Sequence, residues 1–410
     1  MIDPSAARRS VRRVSFARLI SLAGSGAAYA ALAFMMFTLT GGSSAWVSAT
    51  LLLTIGVQGF VQPVASWLGD RFDRRRLLVT VDLCAAAGFC VLAFMREPVW
   101  LLIVACVTAV IESPIWAVSS SVIPNLVDEG DLAWANGQIA VGRNIGNLVG
   151  PLAGGTLVAL LAPGDPPTHD ALYRAGLIIF LANAASFAVS AWLMATAPGR
   201  FSEDRRGGAE HQGIRAGAVF ALHDGVLRPV ILAWAVVLLG AGFILVAEVA
   251  MADLFGQGAF GYGLLTALFG GGAVLGSYLG GRFLSTRREP VALLVSVAAT
   301  AVAFLLIAVS PWWPLVLVAM MAGGAVEGYG SVAEQGVFQR RTPDAVRSRV
   351  NGFVETTVLV SLAVGFGMAG PVVDAFGPRS AYVIGAAGGL IGFLVMLPGM
   401  RLLLGRAPSD

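Results

Sequence analysis

Lysine is absent from this chain, and charge of either sign is scarce. Charged side chains make up 12% of the 410 residues, against about 25% in an ordinary soluble protein. Too little polar surface remains to coat a water-soluble globule. Histidine and cysteine occur three times each. Cys84, Cys90 and Cys106 all lie inside apolar stretches with no metal or disulfide spacing, and are expected to be small buried hydrophobes. His169, His211 and His223 fall in loops or at an interface and carry no assigned role. There is no glycine-rich phosphate loop, so direct use of ATP is not expected. There is also no nucleophile constellation and no carboxylate cluster with metal spacing, which argues against a membrane enzyme. No cofactor is expected. The net charge of +3 is weak support for a nucleic-acid partner, and its distribution explains it better.

What is abundant is apolar: 57% of residues are hydrophobic and the mean hydropathy is +0.79. A spanning helix needs about 20 mainly apolar residues. Twelve stretches qualify: 15–38, 44–68, 77–95, 99–124, 136–161, 172–196, 227–251, 259–283, 290–309, 313–338, 349–374 and 379–404. They are separated by turn-forming breaks such as TGGSS, APGDPP, SPWWP and FGPR. The first apolar run continues past Phe34 without an evident processing site, so an uncleaved first span is expected rather than a signal peptide. The fold class is therefore all-α and polytopic, with the lipid bilayer as solvent.

Arginine clusters at 8–13, 71–76, 200–215, 282–288, 340–349 and near the end of the chain. With the N-terminus inside, the opposite loops hold only Arg96, Arg174 and Arg379, so the positive-inside rule puts both termini in the cytoplasm. Trp46, Trp100, Trp312 and Trp313 then fall at the outer interface. The longest polar interval, 197–226, separates a first bundle (1–196) from a second (227–410). The halves match in register. SWLGDRF at 66–72 recurs as SYLGGRF at 277–283, Glu112 matches Glu327, and Asn136-Gly137 matches Asn351-Gly352. The last two pairs share an offset of 215 residues and the first has 211. Internal repeats of this kind build alternating-access transporters, with a binding site near the bilayer midplane where the repeats meet.

Three constellations carry chemistry. Span five reads GQIAVGRNIGNLVGPLAGG (137–155), in which Gly142, Gly146, Gly150 and Gly154 recur every fourth residue as a bare face for close helix approach. Pro151 removes the helical bond to the Asn147 carbonyl. Intramembrane ionisable residues are functional candidates by default: Glu112 near the middle of span four, Arg143 with Asn147 on span five, and Glu327 with Ser331 and Glu334 on span ten. Glu112, Trp116, Ser119 and Ser120 fall on one face of span four. Glu112 and Glu327 are expected to flank a central cavity, with at least one exchanging protons; the alternative is a fixed Glu112–Arg143 ion pair. Glu248 and Glu355 are secondary candidates, and Asp82 is expected beside the cytoplasmic loop. Tyr29, Trp116, Trp234 and Tyr329 are candidates to line an apolar cavity.

SWLGDRFDRRRLL (66–78) resembles the signature loop between spans two and three of the major facilitator superfamily, with Ser66 and Asp73 in place of two of its glycines. The resemblance implies a cytoplasmic gate in which Asp70 takes part in a charge relay and Arg71, Arg74 and Arg75 occupy the basic positions. Gly281 stands in the second copy where the first has Asp70, which confines such a latch to the first half. The span-five segment resembles the family's antiporter signature through Gly146, Gly150, Pro151, Gly154 and Gly155, a pattern of exporters rather than importers. Over nearly the whole chain the sequence is similar to the bacterial drug and siderophore exporters of the macrolide-efflux and enterobactin-exporter type. Those exporters often carry an acid in span one where this chain reads Gly24-Ser25-Gly26. The resemblance implies a monomeric, multi-pass protein of the bacterial inner membrane that exports lipophilic small molecules by proton antiport. The competing reading is an importer or facilitator of a small nutrient such as a sugar or organic acid.

Overall fold

A computed structural model describes residues 4–128, 131–164, 166–199, 201–202 and 214–404. The chain forms α1 (Pro4–Leu39), α2 (Ser44–Leu51), a π-helical turn (Leu52–Gly56), α3 (Val57–Arg71), α4 (Arg74–Ala93), α5 (Pro98–Glu112), α6 (Pro114–Leu126), α7 (Leu132–Leu161) and α8 (His169–Thr196). It continues with α9 (Ile214–His223), α10 (Leu227–Leu254), α11 (Gly258–Phe283), α12 (Glu289–Val309), α13 (Trp313–Arg341), α14 (Asp344–Phe376) and α15 (Pro378–Leu404). Among the described residues, eleven helical stretches are long and apolar enough to cross a membrane, and the shorter apolar helix Pro98–Glu112 begins one more span. Large apolar side chains are exposed along them, Leu160, Val318 and Trp192 among them, which is the surface a lipid solvent requires.

The sequence signals set the breaks. After α1 the chain turns through Gly41 and Gly42, both at positive φ, and the Gly42 N–H closes the turn on the Phe37 carbonyl at 2.8 Å. Two expected spans are interrupted. Span two passes through the π turn, in which the Thr54 hydroxyl donates to the Thr50 carbonyl at 2.6 Å. Span four breaks after Glu112 because Pro114 has no N–H to give the Val110 carbonyl. Ser113 takes that carbonyl instead, through its N–H at 3.3 Å and its hydroxyl at 2.8 Å. The cysteines depart from expectation: Cys84 and Cys90 face outward from α4 and Cys106 is half-buried. A spanning helix whose outer face meets lipid tolerates such a small apolar side chain on either side.

The chain divides into two compact units. The first comprises Met1–Gly208 with Gly256–Ala267, and the second Ala209–Phe255 with Leu268–Asp410. In the first unit α1 lies against α7 and α8, and α4 lies against α8 and α5. Its interior contains an ion pair absent from the sequence expectations. Arg18 of α1 and Asp82 of α4 are both wholly buried, joined at 2.7 Å and 3.3 Å through the two guanidinium nitrogens. The Ser190 hydroxyl of α8 accepts from Arg18 at 2.9 Å and donates to Asp82 at 2.7 Å. Asp82 therefore belongs to the bundle interior and not to the loop beside it, because Arg18 supplies the counter-charge there. In the second unit α10 lies against α15 and α14, and α12 against α13 and α15.

Removing one member of a buried ion pair strands the other charge, typically costing about 3–5 kcal/mol, whereas replacing both by apolar groups is often neutral. Asp82→Asn should accordingly lower the melting temperature of the purified protein sharply. The double variant Arg18→Met/Asp82→Leu should recover most of the loss, as read by fluorescence-detected size-exclusion after heating.

Candidate functional site

The face of α1 that carries Arg18 continues through Ser21, Ser25 and Tyr29, spaced three, seven and eleven residues on, so the four stack along one side of the helix. Glu112, the last residue of α5, reaches this stripe. Its Oε1 accepts from the Ser25 hydroxyl at 3.4 Å and its Oε2 from the Tyr29 hydroxyl at 3.3 Å. The carboxylate thus sits where α5 gives way to α6, half-buried. Its two oxygens are addressed by a second helix. Behind Tyr29 the ring of Phe89 stands 5.8 Å away, and Phe187 stacks on Phe89 at 5.7 Å. Asn183 and Ser186 of α8 close against Gly24, where any side chain would collide with them. The stripe is polar along its length and walled by aromatics at one end.

Among the described residues no ion pair joins Glu112 to Arg143; hydroxyls hold Glu112, and Arg143 is half-buried on α7. Asn147 is exposed on the same helix. Trp116 lies on α6 beyond the break, and its side chain is outside the described residues. Ser119 is fully buried. Glu327, Ser331 and Glu334 follow one another along α13 in the second unit; both carboxyls are half-buried, and the Ser331 hydroxyl turns back to the Gly328 carbonyl at 2.8 Å. Glu248 is buried in α10, while Glu355 is exposed on α14.

The glycines of α7 meet α1 backbone to backbone. A Cβ on Gly142 would lie 2.9 Å from the Ser15 carbonyl oxygen, one on Gly146 2.9 Å from the Leu22 Cβ, and one on Gly150 2.8 Å from the Ala23 carbonyl oxygen. At Gly154 it would collide with the backbone of Ala27. Pro151 leaves α7 continuous; its ring and Gly150 pack on Gly26. Gly155 points away from α1, toward Ala259 and Gly263 of α11.

The basic loop holds chain that the sequence did not connect to it. Arg74 donates to the Ser121 carbonyl at 2.9 Å, and its backbone N–H donates to the Ser202 hydroxyl at 3.0 Å. Arg75 donates to the Gly199 carbonyl at 2.6 Å and covers the Phe201 ring at 4.4 Å. Asp73 caps α4 through the Arg76 N–H at 2.9 Å and accepts from Ser202 at 3.1 Å. Asn125 donates to the Phe201 carbonyl at 2.9 Å. Arg71 is exposed over the Trp67 ring at 5.4 Å, and the Asp70 side chain lies outside the described residues.

A polar stripe among apolar spanning helices, with a carboxylate at a helix break, is the kind of interior a membrane transporter uses. The comparisons give the family. The profile of the Major Facilitator Superfamily matches residues 14–263 and 230–408, and the chain belongs to that superfamily. It is 25% identical over 401 residues to the enterobactin exporter EntS of Shigella boydii, covering 96% of this chain and 91% of that protein. The EntS proteins of several Escherichia coli strains match to the same extent. Among solved structures, the nucleoside transporter NupG superposes with a TM-score of 0.75 at 15% identity, over 96% of this chain and 99% of that one. A bacterial homologue of the iron transporter ferroportin in an inward-facing state gives 0.70 at 16% identity, over 96% and 98%. The twelve-helix fold of the superfamily, a multi-pass membrane location and a small-molecule substrate follow.

A methyl group at Gly154 must push α1 and α7 apart, whereas one at Gly137 meets nothing within 4 Å. Gly154→Ala should therefore lower the melting temperature by several degrees, whereas Gly137→Ala should leave it unchanged or raise it slightly through helix propensity, both measured in the same detergent.

Proposed function

We propose that this protein exports a lipophilic, siderophore-like or drug-like small molecule by proton antiport, with Glu112 as the proton-carrying group of the first bundle. The observation that carries the reading is the carboxylate of Glu112, held between the hydroxyls of Ser25 and Tyr29 in a chain similar along 96% of its length to enterobactin exporters. As a carboxylate the group only accepts from the two hydroxyls; on protonation one of its oxygens becomes a donor, so the bonds to Ser25 and Tyr29 must rearrange. That change in charge and bonding falls at the Ser113–Pro114 break, the point in the span where helical bonding is already interrupted. Loading and unloading a proton there is coupled to the bend between α5 and α6. Trp116, Arg143 and Asn147 are assigned to substrate handling in the same bundle, and Glu327 serves the second bundle. Asp70 with Arg71, Arg74 and Arg75 forms the cytoplasmic gate, and Gly146, Gly150, Pro151, Gly154 and Gly155 keep the helix contacts through which outward transport is enforced. The protein functions as a monomer of two bundles, 1–196 and 227–410, joined by a linker at 197–226, with both termini in the cytoplasm.

A growth-inhibition panel of toxic compounds, in a host lacking its own pumps, identifies the substrate. Everted vesicles carrying the protein should then accumulate that compound when a proton gradient is imposed, acid inside, and an uncoupler should abolish the uptake. Glu112→Gln should reduce uptake to the level of empty vesicles, while Ser25→Ala and Tyr29→Phe should each slow it. Full proton-driven transport by both Glu112→Gln and Glu327→Gln would remove the coupling assignment.

A further inference from the structure

Arginine is rare at the end of the first unit where α4 finishes and α8 begins, yet both of its loop-proximal arginines face one cavity. Arg96, in the turn after α4, and Arg174, in the first turns of α8, line a cavity of about 510 Å³ together with Phe94, Met95, Asp170 and Tyr173. That volume is in the range of ligand sites, roughly 300–1,000 Å³. The walls are built. The Tyr173 hydroxyl donates to the Arg96 carbonyl and fixes the turn, and the Arg96 guanidinium stands 5.7 Å from the centre of the Tyr173 ring. Arg174 donates through Nε to the Asp170 carbonyl at 3.4 Å. Among the described residues neither guanidinium forms an ion pair with a carboxylate, although Glu97 and Asp170 both lie within electrostatic reach of the Tyr173 hydroxyl.

We propose that this cavity binds the zwitterionic headgroup of an aminophospholipid, its phosphate on Arg96 and Arg174 and its ammonium toward Asp170, Glu97 and the Tyr173 ring. Two cations alone would suit any anion. The Asp170 carboxylate and the Tyr173 ring in the same lining, with Glu97 beside Tyr173, suit a ligand that carries an ammonium as well. The flank indicates that the ligand has acyl chains. Phe94, in the lining, is 67% exposed, and Val99 and Trp100, at the start of α5 a few residues on, are 53% and 57% exposed, apolar surface of the kind that aromatic side chains present at the headgroup level. A soluble phosphate ester would leave that surface unused. On the orientation proposed above, the lipid comes from the outer leaflet; binding in micelles tests the site whichever way the protein is oriented, so its failure is separable from failure of the transport reading.

Native mass spectrometry of the full-length protein in detergent, with added phosphatidylethanolamine, phosphatidylglycerol or soluble glycerophosphoethanolamine, provides the test. Phosphatidylethanolamine should be retained preferentially. Arg96→Gln/Arg174→Gln should lower its occupancy about tenfold, as expected for losing charge-assisted contacts, with Arg379→Gln retaining it as wild type. Asp170→Asn should erase the preference over phosphatidylglycerol. Equal retention of both lipids by the wild type, unchanged phosphatidylethanolamine retention by the double arginine variant, or equally tight binding of glycerophosphoethanolamine would each overturn the proposal.

Discussion

Lipid tails are as apolar as leucine, so two helices in a bilayer gain little from burying apolar surface against each other. They associate where their backbones come close and where polar groups find each other, and this protein uses both devices. In the first unit, α7 offers Gly142, Gly146, Gly150 and Gly154 to α1 at van der Waals distance. In the second, Gly240 meets Gly385 and Gly242 meets Gly365, drawing α10 against α15 and α14, while Gly272 and Gly276 of α11 abut Met321 and Ala325 of α13. With 51 glycines in 410 residues, the chain gives up helix propensity, about 1 kcal/mol per interior glycine against alanine, in exchange for contacts that a side chain would prevent.

The first helix has a double role. One of its sides is pressed on α7, and the other carries the stripe from Arg18 to Tyr29 that engages α4, α8 and the end of α5. A displacement of α1 is therefore felt by the Arg18–Asp82–Ser190 cluster and by the Glu112 carboxylate together. Glu112 sits beside a proline break that Ser113 repairs with its own hydroxyl, so the site combines a titratable group with a place where the helix is already free of one backbone bond. On the proposed mechanism, charge and bend change as one event.

Much of this was legible in the sequence, for local reasons. Hydrophobic runs and turn residues marked the spans because each depends only on its neighbours, and the four-residue glycine period of span five gave its packing face directly. The match of Glu112 to Glu327 singled out the carboxylate now found among hydroxyls. Other features required three dimensions. Arg18 lies five residues past the basic cluster at 8–13 and inside the first span, where an arginine in an apolar run was itself an unread signal. Asp82, its partner, is 64 residues away. Pro114 was visible but lay within an apolar stretch long enough to read as one helix. The basic loop at 71–76 showed its charge but not that the carbonyls of Ser121 and Gly199 would receive it.

The buried pair also has a history in time. A chain enters the membrane from its N-terminus, so Arg18 arrives before Asp82 and well before Ser190. An arginine within a spanning segment is costly until it is paired, and Arg18 finds its partners only when α4 brings its carboxylate and α8 its hydroxyl. Of the three helices that share this cluster α8 is synthesised last, so the polar set around Arg18 is complete only once Ser190 has been made.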